Sequence, residues 1–463
     1  MNEIEEKNID ESQVETHKEL DLRPEKLNQT IWSLAFPAVI ENLMGMLVYL
    51  ADAFIVGWLR NADALAGTML AGTLFMVTMA PFQGISVATT ALVARNWGAK
   101  EYNKAHRYGN QALCFGLYFG LCIMVIGILI SNKLFHWFGA SEPVINLGGK
   151  YLRIVMVTIP LEMLMFIANG IMRGSGDTKS PMYITVAMNI INIILCIILA
   201  FGFKMGLIGV AYGSMVAQAL GGIFALLMLE SGWSHIKLPI RNFFCWNKQL
   251  LKELIALAYP VALERFIGSG AHLIFMKILA MLGTIAIAGH FIAVRLESLA
   301  FMPAFGINVA VMTIVGQSLG ARKPEIAELT VKRAMMWTTF FMLGLGLIFV
   351  SFAKYIVVLF GATPEVIHLA GIALQISALE LPFLSYAMIL SGCLRGAGDT
   401  KSPLYNMIVC VLLFRFGVVY LFAITFGWGL AGVWLATAVD WLGRTLGLWY
   451  IFKRAKWKQI HIT

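Results

Sequence analysis

The chain carries one nine-residue stretch twice, 222 positions apart: Arg173-Gly174-Ser175-Gly176-Asp177-Thr178-Lys179-Ser180-Pro181 and Arg395-Gly396-Ala397-Gly398-Asp399-Thr400-Lys401-Ser402-Pro403. The same offset sets Pro81 against Pro303, Gly98 against Gly320 and Pro160 against Pro382. One residue more aligns Pro37 with Pro260, Glu41 with Glu264 and Gly206 with Gly429. The chain is therefore expected to be two copies of one unit.

Uncharged runs indicate what the unit is made of. Residues 64–94, 108–132, 180–203, 205–229 and 334–353 hold no Asp, Glu, Lys or Arg. A helix needs about 20 apolar residues to cross about 30 Å of hydrocarbon, whereas a barrel strand needs about half as many. Bilayer interiors offer no water to backbone groups, so runs of this length must be helical. Composition agrees: 59% hydrophobic and 13% charged residues leave too little polar surface for a soluble chain of 463 residues.

The fold class that follows is an all-α integral membrane protein with twelve transmembrane helices, arranged as two six-helix lobes related by internal duplication. Spans are expected at 29–58, 64–95, 108–131, 142–172, 181–203, 206–231, 251–281, 284–316, 330–356, 364–394, 403–426 and 428–452. Residues 1–28 read as an acidic tail, with nine Asp or Glu against four Lys or Arg and no signal-peptide apolar region. Residues 29–231 form the first lobe, 232–250 a polar linker with Pro239, Arg241 and Lys248, 251–455 the second lobe, and 456–463 a short tail. Lys and Arg crowd alternate connections, as in Arg95, Lys100, Lys104 and Arg107, or Arg322, Lys323, Lys332 and Arg333. The positive-inside rule then places both termini in the cytoplasm. An even number of spans per lobe gives both lobes the same orientation. The six cysteines show no CxxC spacing, so they read as packing residues and not as a disulfide framework or zinc site.

In this topology the repeated stretch is a short hairpin between helices. Its Arg sits at a helix C-terminus, its glycines permit left-handed turns, and its Asp can cap the next helix. A phosphate-cradling loop would need a preceding strand, which this pattern lacks.

The doubled RGxGDTKSP resembles the multidrug and toxic compound extrusion (MATE) transporters. So do Phe36-Pro37-Ala38, Asp52-Ala53-Phe54-Ile55-Val56-Gly57, Arg295-Leu296-Glu297-Ser298-Leu299-Ala300-Phe301-Met302-Pro303 and Val315-Gly316-Gln317-Ser318-Leu319-Gly320-Ala321. The resemblance covers about residues 30–455 and is nearest the bacterial NorM-like branch. It implies two lobes around a central cavity and drug export driven by inward flow of Na⁺ or H⁺.

Ionisable side chains inside hydrocarbon are costly, which makes them candidates for ion coupling. On the first helix, Glu41 and Asp52 lie eleven residues apart, within about 20° of whole turns and about 16 Å along the axis. They either line a cation path or, for Glu41, pair with a neighbouring helix. Glu264 and Glu380 fall near mid-membrane in the second lobe. His290 and Glu297 share a helix face and could form a protonatable pair. Five basic residues (Arg265, Lys277, Arg295, Arg415, Arg444) nearly balance four acidic ones in that lobe, so many should be ion pairs. Asp52, Glu41, Glu264 and Glu380 are the leading candidates for the coupling cation, with His290, Glu297, Arg295, Glu162 and Asn192 behind them.

The chain departs from the family pattern at several of these places. Gly268 and Leu384 stand where NorM-like members usually have acids, with Glu264 and Glu380 one turn away. Glu162 occupies the duplicate of position 384 in the first lobe. Archaeal-type members have an Asp four residues after an Asn, but here Asn192 is followed by Cys196.

The expected function is a Na⁺- or H⁺-coupled antiporter of the bacterial cytoplasmic membrane, exporting amphipathic, cationic drugs by alternating access. It would act as a monomer, using no cofactor beyond the coupling ion and binding no nucleic acid. The paired prolines would supply bends for opening, or simply static kinks. The alternative is a lipid-linked saccharide flippase of the same broad superfamily, which should place several Arg or Lys in its cavity. A membrane-embedded transferase would need a loop constellation of His, Asp or Cys, which is missing from the short loops. A channel suits the duplicated two-lobe plan less well than a transporter does.

Overall fold

The computed structural model describes residues 19–238 and 246–460. Most of the expected acidic tail, the linker centre with Pro239, Arg241 and Cys245, and residues 461–463 lie outside the described residues.

Thirteen helices follow one another, and no strand forms among the described residues. The first half contains α1 (Leu27–Trp58), α2 (Ala62–Gly98), α3 (Tyr102–Trp137), α4 (Glu142–Met156), α5 (Ile159–Gly174), α6 (Lys179–Ile197) and α7 (Gly206–Ser231). The second contains α8 (Lys248–Ala280), α9 (Thr284–Gly320), α10 (Pro324–Val358), α11 (Pro364–Gly396), α12 (Lys401–Cys410) and α13 (Gly429–Lys453). Nine helices are long and apolar enough to cross a membrane, two of them counted with their π-helical extensions, and α4 with α5 makes a tenth span bent by 50°. Helices α8 and α13 complete the set of twelve. Their 33 and 25 residues reach across, but both carry several charged side chains.

The bend between α4 and α5 interrupts the expected span 142–172. Pro160 cannot donate to the preceding turn, so the helix stops at Val157–Thr158 and restarts with the proline in its first turn. In the second half α11 runs unbroken through the equivalent Pro382. Helices α6 and α12 both widen into π-helical turns at matching positions, Ile198–Gly202 and Leu421–Thr425. A further π segment, Val411–Val418, carries Arg415.

Both RGxGDTKSP copies are turns. Gly176 and Gly398 adopt φ of 92° and 90°, left-handed geometry that a side chain would strain. Asp177 accepts from the backbone N–H of Lys179 and Ser180 at 3.0 Å, and Asp399 accepts from that of Ser402 at 2.9 Å, each capping the next helix.

Helices α2, α3, α4, α5 and α7 pack together, as do α9, α10, α11 and α13. Helix α1 leans on α6 and on α9 of the other half, while α8 leans on α12 and on α2. Small residues allow these crossings, since packing and not water exclusion holds helices together in lipid. Gly84 of α2 faces Ala258 and Ala262 of α8, and its duplicate Gly306 of α9 faces Ala35 and Val39 of α1. Where α2 and α9 end, a Cβ on Gly98 would overlap the carbonyl of Gln317, and one on Gly320 the carbonyl of Arg95. The halves thus meet backbone to backbone on the side that carries both termini.

Both terminal segments lie over this junction. Glu19 pairs with Lys100 at 2.8 Å, Leu20 packs against Gly176, and the carbonyl of Pro24 accepts from Arg333 at 2.6 Å. At the other end Lys458 pairs with Glu328 at 2.6 Å, and the carbonyl of Ile460 accepts from Arg95 at 2.8 Å.

Candidate ion-coupling sites

Three groups of polar side chains lie within the spans. The first is the duplicated pair made by the motif arginines. Arg173, at the end of α5, turns to α1 and binds Glu41, whose Oε1 also receives Asn169 Nδ2 at 3.4 Å. Arg395, at the end of α11, binds both oxygens of Glu264 on α8 at 2.9 and 2.8 Å. Each acid thus belongs to a buried ion pair, and both pairs sit one turn beyond a proline. The carbonyls of Arg173 and Gly174 also accept from Thr313 and Gln317 of α9, at 3.0 and 2.9 Å. The arginines' pairing role was missed in the hairpin reading. Its signal was the duplication itself, because two opposite charges copied together at fixed places mark a pair.

The second group surrounds Asp52 on α1. Its carboxylate lies 3.5 Å from Ser214 Oγ on α7 and 3.9 Å from Cys196 Sγ on α6. Asn192 Nδ2 donates to Ser214 Oγ at 3.1 Å, and the Asn192 carbonyl oxygen is buried without a partner. Asp52 and Asn192, named separately as candidates, are brought to one site, and Ser214 is the member that the sequence reading missed. No Lys or Arg forms an ion pair with Asp52 among the described residues. Glu41, expected on the same face, is engaged separately by α5. Glu162 is buried on α5 with Oε2 unpartnered and stands outside this cluster.

The third group fills the second half. Asp440 on α13, fully buried, accepts a fork from Arg444 at 3.0 and 2.9 Å and a third bond from Arg415 at 3.3 Å. The π segment bearing Arg415 also lays its guanidinium 5.1 Å from the centre of Phe275. Next to this, Glu380 on α11 and Glu297 on α9 are both buried, and neither Glu380 oxygen has a hydrogen-bond partner among the described residues. Glu297 therefore partners Glu380 and not His290, which sits instead among Phe275 and Trp434 at centroid distances of 5.4 and 5.6 Å. Sequence separation along one face suggested the His290–Glu297 pair, but the neighbouring helix offered Glu297 a closer partner. Arg295 is exposed and joins none of these groups.

Two carboxyls buried side by side repel strongly if both are ionised, so such a pair is a place for one proton. The charge balance agrees. Three acids (Glu297, Glu380, Asp440) face two guanidiniums (Arg415, Arg444), and one proton makes the group neutral.

The geometry can be set beside known proteins. The MatE family model matches this chain twice, at residues 37–198 and 260–421, once in each half. The chain is 28% identical over 443 residues to the probable multidrug resistance protein NorM of Thermotoga maritima, covering 94% of each. It is 22% identical over 399 residues to the multidrug export protein MepA of Staphylococcus aureus, covering 86% of this chain and 87% of that one. Among solved structures it superposes with a TM-score of 0.89 on MATE in complex with MaD3S, at 24% identity over 96% of this chain and 100% of the other. An outward-facing multidrug resistance MATE family transporter gives a TM-score of 0.89 at 23% identity, over 96% of this chain and 100% of that one. Members of the matched family are transporters, not enzymes. With the matched regions covering most of both halves and the fold shared end to end, the chain belongs to the MatE family of multidrug and toxic compound extrusion transporters.

Proposed function

We propose that this transporter is a proton-coupled antiporter that exports amphipathic, cationic compounds across a bacterial cytoplasmic membrane, acting as a monomer with both termini in the cytoplasm. The Glu297–Glu380 carboxyl pair carries the reading, because two acids buried together without a donor for Glu380 are a site for one proton. The Asp52 site supports it. Cys196 stands beside the carboxylate with a thiol, a soft group that suits a hard cation such as Na⁺ poorly. Substrate export follows the relatives' names, and the orientation follows the basic connections on the side of the termini. Closure of that side at Gly98 and Gly320 corresponds to an outward-facing state.

Proton entry at Asp52 would favour return to the inward-facing state by removing a buried charge, so protons and substrate would alternate. Ethidium efflux from proteoliposomes tests this. A pH gradient alone should drive it and a Na⁺ gradient alone should not. Drive by Na⁺ alone refutes proton coupling, and drive by neither favours the lipid-linked saccharide flippase.

A further inference from the structure

Glu162 has no place in the sites above. It lies two turns from Asn169 and three from Arg173 on α5, in one stripe with Phe166, since offsets of 4, 7 and 11 residues return within about 40° of whole turns. The sides of α5 flanking that stripe are occupied: Leu161 and Met165 meet Gly222 and Gly221 of α7, and Met163 and Ile167 meet Gly116 of α3. Phe166 rests on Phe82 of α2 at 6.3 Å. Asn169 and Arg173 both reach Glu41 of α1. Glu162 therefore faces the wedge between α2 and α7 in which α1 runs. Its side chain is buried, and its Oε2 receives no donor.

A chain of polar side chains joins this place to Asp52. Ser214 of α7 lies 3.5 Å from Asp52, and Gln218 stands one helical turn further along α7. Gln218 Oε1 accepts from Thr158 Oγ1 at 2.8 Å, and Thr158 stands one turn before Glu162. Residues one turn apart have Cβ atoms about 5–6 Å apart, the span of a single bridging water. The duplication gives a second, independent sign. Positions 158 and 218 correspond, by the offset of 222, to Glu380 and Asp440. The seam that carries Glu380 and Asp440 in the second half thus carries Thr158 and Gln218 in the first, with Glu162 one turn on.

We propose that Glu162 is a second proton-binding carboxyl of the first half, exchanging its proton with Asp52 along the Ser214–Gln218–Thr158 seam. In this state it holds the proton as a neutral acid, since an ionised carboxylate there would be buried without a partner. The proton passes to Asp52 through the Thr158 and Ser214 hydroxyls and intervening water, which Gln218 holds in line, with no bond made or broken other than O–H. The inference rests on proton coupling for its role in transport, but not for proton binding itself.

The test uses full-length protein with Glu162→Gln, Glu162→Asp and Gln218→Leu. Infrared spectra in detergent should show a protonated-carboxyl C=O band that Glu162→Gln removes and Glu162→Asp retains at a shifted position. Survival of the full band in Glu162→Gln overturns the proposal. In proteoliposomes, pH-gradient-driven ethidium efflux should fall roughly tenfold in Glu162→Gln and in Gln218→Leu, within the 5–150-fold range of coupling effects, and recover in Glu162→Asp. Unchanged efflux in both Glu162→Gln and Gln218→Leu rules out the relay. Should wild-type efflux follow Na⁺ instead, proton coupling fails while the infrared band still decides whether Glu162 carries a proton.

Discussion

Asp52 keeps polar neighbours and no counter-charge, whereas Glu41 and Glu264 are held by arginines, and this difference separates their expected behaviour. Asp52→Asn should abolish pH-driven efflux with the protein still inserted and folded, as read by efflux and by size-exclusion of the purified variant. In the second half, Glu297→Gln and Glu380→Gln each remove the same shared proton. The double variant should therefore lose no more transport than the worse single one, a non-additivity that efflux rates check directly. The motif pairs should behave as structure. Arg395→Met leaves the partly buried Glu264 uncompensated, an expected loss of about 2–3 kcal/mol, and adding Glu264→Gln should recover much of it. Thermal unfolding in detergent distinguishes this from a transport defect.

At the scale of helices, the duplication is unequal in an informative way. The first half breaks its fourth span at Pro160, while the second keeps α11 straight through Pro382 and widens α12 into an extra π segment. That segment turns Arg415 toward Asp440, and such bulges often mark working sites. Where the helices of both halves cross at Gly98 and Gly320, no side chain fits. Gly320→Leu should hold α2 and α9 apart and disfavour the closed junction. A cysteine placed at Gln317 should then react with a polar thiol reagent added from the side of the termini, and remain protected when Gly320 is intact.

Across the whole molecule, the terminal segments bind the junction from both ends. Trp457, buried and stacked on Phe452 at 5.3 Å, anchors the segment whose Ile460 carbonyl accepts from Arg95. Trp457→Ala should remove about 3–5 kcal/mol of packing, lowering the melting temperature. Much of this architecture was legible beforehand. An all-helical fold of long apolar spans, its two copies and the hairpin role of RGxGDTKSP follow from the lengths of uncharged runs and from turn residues, because hydrocarbon thickness and missing backbone partners leave few solutions. Asp52 and Asn192 were legible as candidates because charge and amide groups in hydrocarbon stand out. Partner choice was not legible. Glu297 is as close in sequence to His290 as a helix face allows, yet its partner is Glu380 on another helix. Glu41 and Asp52 share a register but are claimed by different neighbours, and Ser214 and Gln218 are ordinary until α7 is set against α1 and α5. Local composition settles what each segment is, since burial in lipid acts on every residue separately. Which buried groups meet depends on how helices tilt, bend and cross, and those angles are set by packing between segments far apart in the chain.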